Sequence, residues 1–289
     1  MTVIILTKFQ EPDYETSKLV KSFVDKDIQV KVCYFNKFEI VINHGIFYDG
    51  VMMGFPDAIL VRRGSGISRA ELAIIRYFEL ANVPCFNKCE QINLVQDKFH
   101  TGEILHNAGI KVPSTLLITS KNTHLVESLI GFPCVIKVVV GSFGVGVYKC
   151  ESKSEYPKLL EFIDAIGNEK TLIAQEFMGD RPGEDLRVLV IGDRVIGAMK
   201  RVAPSGDFRA NISNGGTGEK YEITPEISEI ALNTSRALGL DIAGIDLLFS
   251  NNGFVVCEAN SNPGFYGFEK YCNIDIANEI SSFIISKIS

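Results

Sequence analysis

Near the carboxy terminus two acidic residues sit inside apolar stretches, IAGIDLLF and FVVCEAN, on either side of Asn251, Asn252 and Gly253. An Asn-Gly turn flanked by apolar runs marks a hairpin, so residues 241–250 and 253–260 are expected to pair as antiparallel strands. A three-residue turn places Asp246 opposite Glu258 on one face, with Cβ atoms about 4.5 to 5.5 Å apart. Asn260 lies two residues on and shares that face. Two carboxylates side by side in an apolar setting repel, and a cation between them relieves both the repulsion and the cost of burying charge. An all-oxygen donor set favours magnesium, with manganese as a substitute. The competing reading leaves the acids in solvent at a sheet edge; it suits any one of them better than it suits the set D-x(11)-E-x-N.

The rest of the chain has room for such a hairpin to sit in a larger body. At 289 residues two or three compact units are expected, and 46% hydrophobic against 22% charged residues is a globular balance rather than a disordered one. The net charge of -6 speaks against nucleic acid or an anionic membrane as partner, because both need a positive surface. Seven cysteines, an odd number, show no zinc spacing, the first residues carry no cleavage-site pattern, and no apolar run reaches the length of a membrane span. A cytoplasmic protein with reduced thiols is the expectation. His44, His100, His106 and His124 fall in no metal or triad spacing.

Along the chain, short apolar runs alternate with amphipathic stretches: Val3 to Thr7, Tyr14 to Asp25, Val30 to Tyr34, Ala58 to Val61 and Ser68 to Leu80. That alternation predicts a small α/β unit with parallel strands over residues 1–94. A second unit, 95–179, is expected from the helix Lys98 to Asn107, strands Ser114 to Ile118 and Cys134 to Val140, a helix from Lys153 to Ala165 and a strand from Thr171 to Met178. The third, 180–289, opens with strands Leu186 to Ile191 and Arg194 to Met199 joined by Gly192-Asp193. A long polar loop from Ala203 to Tyr221 then leads to the helix Pro225 to Leu238, with Thr224 as its amino-terminal cap and Gly239 at its end.

Several residues suit an anion. Gly141-Ser142-Phe143-Gly144-Val145-Gly146 joins the strand CVIKVVV to Val147-Tyr148, and such a loop can turn its backbone amides onto phosphate or serve as a plain hairpin turn. It is neither a Walker loop nor a dinucleotide fingerprint, lacking G-K-[ST] and a following helix. Lys137, inside the apolar strand before it, is costly there unless an anion neutralises it. Lys98 is a second candidate cation, or a solvated charge at a helix start. Gln175, Glu176, Phe177 and Met178 end a strand at a domain boundary, where a nucleotide base commonly binds, or are an ordinary strand end. Arg187, Arg201, Arg209 and Asn211 in the last unit suit carboxylate or phosphate, with scattered surface arginines as the competing reading, and Arg63 in VRRGSG ends an apolar strand beside a glycine-serine loop, placed to face an interdomain cleft.

In order, QDK, VIK with GSFGVGV, QEFM, EDLRVLVIGD, GDFRANISNGG, AGIDLL and VCEANSNPGF resemble the ATP-grasp superfamily, and within it the RimK-like α-L-glutamate ligases. The resemblance runs from about Asp57 to the end and is most specific from Glu184 to Ile276. It implies a mixed α/β (α+β) fold of three domains with ATP between the central and carboxy-terminal ones. It implies that Lys98 and Lys137 contact phosphates, that Glu176 to Gly179 and Asp185 hold adenine and ribose, that Arg209 reaches the reacting phosphate, and that Asp246, Glu258 and Asn260 bind two magnesium ions. The activity implied is ATP-dependent joining of L-glutamate, through its amine, to an acceptor carboxylate by way of an acyl phosphate. The ending VCEAN…CNIDIA is also similar to the N-acetylaspartylglutamate synthetase branch, so a small acidic acceptor stands beside a protein carboxy terminus. Transfer of another amino acid to a peptide or carrier protein, and a non-catalytic ATP-binding module, are the competing readings. Nothing in the sequence opposes a homo-oligomer.

Overall fold

The computed structural model describes residues 1–8, 13–119, 124–141, 146–165, 171–205, 207–210, 212 and 215–289. The chain opens with β1 (Thr2–Thr7), α1 (Tyr14–Val24), β2 (Gln29–Tyr34), β3 (Phe38–Val41), β4 (Gly45–Tyr48), β5 (Val51–Met52), β6 (Ala58–Arg62), α2 (Arg69–Leu80) and β7 (Cys85–Phe86). Strands β2-β1-β6-β7 form a parallel sheet in that order. It is covered on both faces: Val3 and Ile5 of β1 join one apolar cluster, Ile4 and Leu6 the other, which is why β1 reads as an unbroken apolar run. A capping box between Ser68 and Glu71 starts α2. The three-stranded meander β3-β4-β5 was not expected; its strands are short and half-exposed, leaving little period-2 contrast.

A short helix α3 (Cys89–Val95) and α4 (Lys98–Asn107) lead to an antiparallel sheet ordered β10-β9-β11-β8, built from β8 (Thr115–Ile118), β9 (Cys134–Val138), β10 (Val147–Cys150) and β11 (Leu172–Glu176), with α5 (Tyr156–Ala165) between the last two. Cys134, Ile136, Val138, Leu172 and Ala174 pack with Tyr156 and Leu160 of α5. The alternate residues Val135, Lys137 and Gln175 therefore face the other way.

The last sheet is antiparallel and ordered β14-β13-β12-β15-β16, from β12 (Glu184–Ile191), β13 (Arg194–Val202), β14 (Thr217–Tyr221), β15 (Ile242–Ser250) and β16 (Gly253–Asn260). Helix α6 (Pro225–Leu238) packs on one face, capped by the Thr224 side chain and ended by Gly239 at φ 66°. Helix α7 (Ile276–Ile288) lies against α1, where Ser22 and Ser281 hydroxyls meet at 2.7 Å. Strand β14 corrects the expected loop from Ala203 to Tyr221: its last five residues pair with β13, the charged side chains of Lys220 and Glu219 having hidden the strand.

Register also departs from expectation. Ser250 pairs with Gly253, so the turn holds two residues, not three. Leu247 then pairs with Val256 and Asp246 with Glu258, so Cys257 is an inserted bulge residue. Without that bulge Asp246 would oppose Cys257. Another bulge at Ile196 shifts β13 on β12, so that Asp185 opposes Arg201 instead of Lys200.

Candidate active site

Three of the four sheets, all but the β3-β4-β5 meander, border one cavity of about 690 Å³. The antiparallel sheet of the middle unit contributes Lys137 and Gln175 to it, the last sheet contributes Asp185, Arg187, Arg201, Asp246, Glu258 and Asn260, and the first unit contributes Lys8, Glu15, Arg62 and Arg63. Lys98, Gly141, Glu176, Phe177, Met178 and Arg209 also line it. Gly146 does not; at φ 73° it turns the chain into β10, and a Cβ there would come within 2.9 Å of Val138. Ser142, Gly144 and Asn211 lie outside the described residues.

The acidic side is organised in rows across the sheet. Arg187, Asp246 and Glu258 are register partners on three neighbouring strands. Arg187 grips Asp246 with a two-pronged fork, Nε to Oδ1 and Nη2 to Oδ2 at 2.6 Å. Arg201 grips Asp185 in the same way, both contacts at 2.6 Å, and reaches Asp246 Oδ2 at 3.1 Å. Burial pushes the Asp246 carboxyl up, but the Arg187 and Arg201 guanidinium groups more than reverse that and hold it below the usual carboxylate range. The same two carboxylates raise the Arg201 guanidinium against the opposing effect of burial. Asn260 donates its amide nitrogen to the Gly244 carbonyl at 3.3 Å, which leaves its amide oxygen available.

Among the described residues no three or more His, Cys, Asp or Glu side chains are grouped so that they alone could hold a metal ion. A divalent cation here would rest on two carboxylates and an amide, and that hard-oxygen set fits magnesium. The bulge at Cys257 is what brings these donors together, and it also turns Cys257 into the cavity beside Glu258.

The cationic side faces this set. Lys98 Nζ donates to the Gly141 carbonyl at 2.6 Å and lies 3.4 Å from Glu258 Oε1, so it is far from a solvated charge. Lys137 Nζ donates to Gln175 Oε1 at 2.6 Å and lies 3.6 Å from Cys257 Sγ. Neither lysine has a carboxylate fork of its own, in contrast to the arginines. Glu176 accepts from the Ser114 amide at 3.2 Å, and Phe177 sits edge-on to Phe208 with ring centroids 6.1 Å apart. Arg209 is paired with Asp207 at 2.8 Å.

From the first unit, Arg63 donates Nε to Glu71 at 2.9 Å, Nη1 to the Ser65 carbonyl at 3.3 Å and Nη2 to the Gly66 carbonyl at 2.6 Å, shaping the loop whose Ser65 hydroxyl meets the Gly141 carbonyl at 3.1 Å. Its neighbour Arg62 is the buried one, ion-paired with Glu15. Glu15 also accepts from the Tyr266 amide at 2.9 Å, tying α1 to the segment after Asn260. Asn87 completes that junction, donating to the Ile242 and Ser261 carbonyls at 2.7 and 2.8 Å. Glu15 and Asn87 gave no sequence signal, since one reads as a first-turn helix acid and the other as a loop polar residue.

Three units around one such cavity, with an antiparallel sheet on each side of it, make up the three-domain ATP-grasp fold. A solved RimK domain ATP-grasp protein from Sphaerobacter thermophilus superposes with a TM-score of 0.79 at 20% identity, over 98% of this chain and 99% of that one. The ATP-grasp ligase PsnB, solved with minimal precursor, Mg and ADP, gives a TM-score of 0.75 at 19% identity, over 99% of this chain and 98% of that one. At those identities the likeness establishes the fold alone. The sequence goes further. Residues 95–284 match the RimK-like ATP-grasp domain and residues 1–92 the RimK PreATP-grasp domain. A protein of Maridesulfovibrio salexigens named probable alpha-L-glutamate ligase is 34% identical over 293 residues, covering 98% of this chain and 95% of that protein. The molecule is an ATP-dependent ligase that forms carbon–nitrogen bonds. The chain belongs to the RimK-like ATP-grasp family. Among the described residues no helix is long and apolar enough to cross a membrane.

Proposed function

We propose that this protein adds L-glutamate, through its amine, to the carboxylate of an acceptor that is either a protein carboxy terminus or a small acidic molecule. The observation that carries the reading is the facing of two lysines, Lys98 and Lys137, and an oxygen set, Asp246, Glu258 and Asn260, across one cavity that the first unit also enters. The name of the Maridesulfovibrio relative supports glutamate as the amine.

ATP lies between the middle and last units, its base and ribose at Gln175 to Met178 and Asp185, its phosphates at Lys98, Lys137 and the loop that Gly141 opens, with Ser142 and Gly144 as its sequence candidates. Asp246, Glu258 and Asn260 hold magnesium, which supplies neutralisation of phosphate charge. Arg209 reaches the reacting phosphate. An acceptor carboxylate oxygen attacks the terminal phosphorus, ADP leaves, and an acyl phosphate results. The glutamate nitrogen then attacks the acyl carbon, phosphate leaves, and a proton is lost from nitrogen. Shielding of the acyl phosphate falls to the glycine-rich loop and to the loop that Arg63 shapes. Arg187 and Arg201 serve carboxylate or phosphate recognition, Asn211 joins them on the sequence alone, and Arg63 orients the acidic substrate through its loop.

The test is incubation with ATP, magnesium, L-glutamate and a panel of acceptor carboxylates, followed by mass measurement. The expected result is a gain of one or more glutamyl residues on one acceptor class, matched by ADP. Gain of a different amino acid, or ATP binding with no product from any acceptor, would overturn the proposal.

A further inference from the structure

We infer that Arg187 is a latch on the metal site, admitting a divalent cation that arrives with nucleotide and rejecting the bare ion. The inference rests on Asp246 being a metal ligand of the proposed ligase. Both oxygens of Asp246 are already taken: Oδ1 by Arg187 Nε, Oδ2 by Arg187 Nη2 at 2.6 Å and by Arg201 Nη2 at 3.1 Å. The side chains are 10%, 15% and 6% exposed for Asp246, Arg187 and Arg201, so little water screens the contacts. The two arginines differ in what they could release. Arg201 keeps a full fork on Asp185 even without Asp246, whereas the fork of Arg187 is engaged on Asp246.

Charge decides which cation can displace the fork. Asp185, Asp246 and Glu258 carry three negative charges, and Arg187, Arg201 and Lys98, which contact them, carry three positive. These contacting groups balance before anything binds, and Lys137 across the cavity adds a further positive charge. A bare divalent ion would add an uncompensated double positive charge beside two guanidinium groups in a poorly solvated cavity. A cation that brings nucleotide phosphates adds its own counter-charge, and those phosphate oxygens offer Arg187 a new bidentate partner when it leaves Asp246. The Arg187 stem packs over Gly244, where a Cβ would stand 3.3 Å from its Cδ and 2.7 Å from Pro263 Cβ, so the absence of a side chain there is what lets the stem lie across the strand.

The experiment is titration of the full chain with Mn2+ alone, without nucleotide, reading free Mn2+ by electron paramagnetic resonance. Arg187→Met should bind bare Mn2+ about tenfold or more tighter than wild type, the scale on which neighbours of ligands alter metal affinity. Arg187→Lys, which keeps the charge but not the fork, should fall between them. In Arg187→Met combined with Asp246→Asn the gain should vanish. A folded Arg187→Met or Arg187→Lys, judged by circular dichroism, that binds bare Mn2+ no tighter than wild type would overturn the latch, as would a gain that survives Asp246→Asn. No glutamate or acceptor enters the assay. Absence of ligase product therefore leaves this result standing, and a failed latch leaves the ligase reading intact.

Discussion

On the face of the last sheet turned to α6, Leu186, Val188, Ala243, Ile245 and Leu247 are all fully buried. Their immediate neighbours in sequence point the other way, and there Asp185, Arg187 and Asp246 line the cavity. Farther along the same strands that second face turns apolar again: Leu189, Ile191 and Ile242 join the cluster that packs with α7 and the first unit. On β12 and β15 charge is thus confined to the stretch that borders the cavity. The contrast separates two jobs within one element. Apolar burial on the α6 side supplies stability, while buried forks such as Arg201–Asp185 contribute little net stability for their desolvation and are better explained by what binds there. The middle sheet shows the same division in milder form, with Ile136 and Ala174 under α5 and Lys137 and Gln175 on the cavity.

The most forceful way to break this comparison is to alter the apolar face beside the metal ligand. Ile245→Ala, adjacent to Asp246, should lose about 2–5 kcal/mol of stability by denaturant unfolding. Nucleotide affinity measured well below the transition should stay near wild type. A small stability loss with a large affinity loss would mean that the two faces are not separable.

On the cavity side the reverse is expected. Lys137→Met keeps the apolar stem and removes the ammonium, so ADP affinity by calorimetry should fall about tenfold to a hundredfold, in line with about 1.5–3 kcal/mol for a hydrogen bond to a charged group. Thermal unfolding should change little. Unchanged ADP affinity would remove Lys137 from the phosphate site.

The smallest effect sharpens the stability side alone. Thr224 caps α6, its hydroxyl accepting from the Ile227 amide at 3.3 Å. Thr224→Ala should cost about 1 kcal/mol in unfolding free energy and leave ADP affinity unaltered. A shift in ADP affinity would show that α6 transmits to the opposite face.

Much of this arrangement was legible in the sequence where local chemistry decides it. Thr224, Pro225 and Gly239 bound α6 at the residues expected, and the alternation of apolar runs with amphipathic stretches in the first unit announced its parallel strands. The facing of Asp246 and Glu258 was also expected, but through an assumed three-residue turn; the real cause is a shorter turn corrected by one bulge. The second bulge, at Ile196, sets the Asp185–Arg201 fork. No residue preference announces an extra residue in a ladder, because the bulge is fixed by what the two strands must pack against farther on. Arg62 and Arg63 show the same limit. Both end an apolar strand, and only the position of Glu15 on α1 makes Arg62 the buried partner while Arg63 serves its own loop.

The account depends most on the oxygen set of the last sheet driving an ATP-dependent ligation. ADP release should therefore be followed in wild type and Glu258→Ala, with ATP, magnesium and L-glutamate, before and after addition of the acceptor found by mass measurement. Wild type should release ADP only once acceptor is present, and Glu258→Ala should be slower by about 10²- to 10³-fold, the scale for losing one preorganised group that stabilises transition-state charge, with its thermal midpoint preserved. Acceptor-independent ADP release, or normal turnover by a folded Glu258→Ala, would contradict the account.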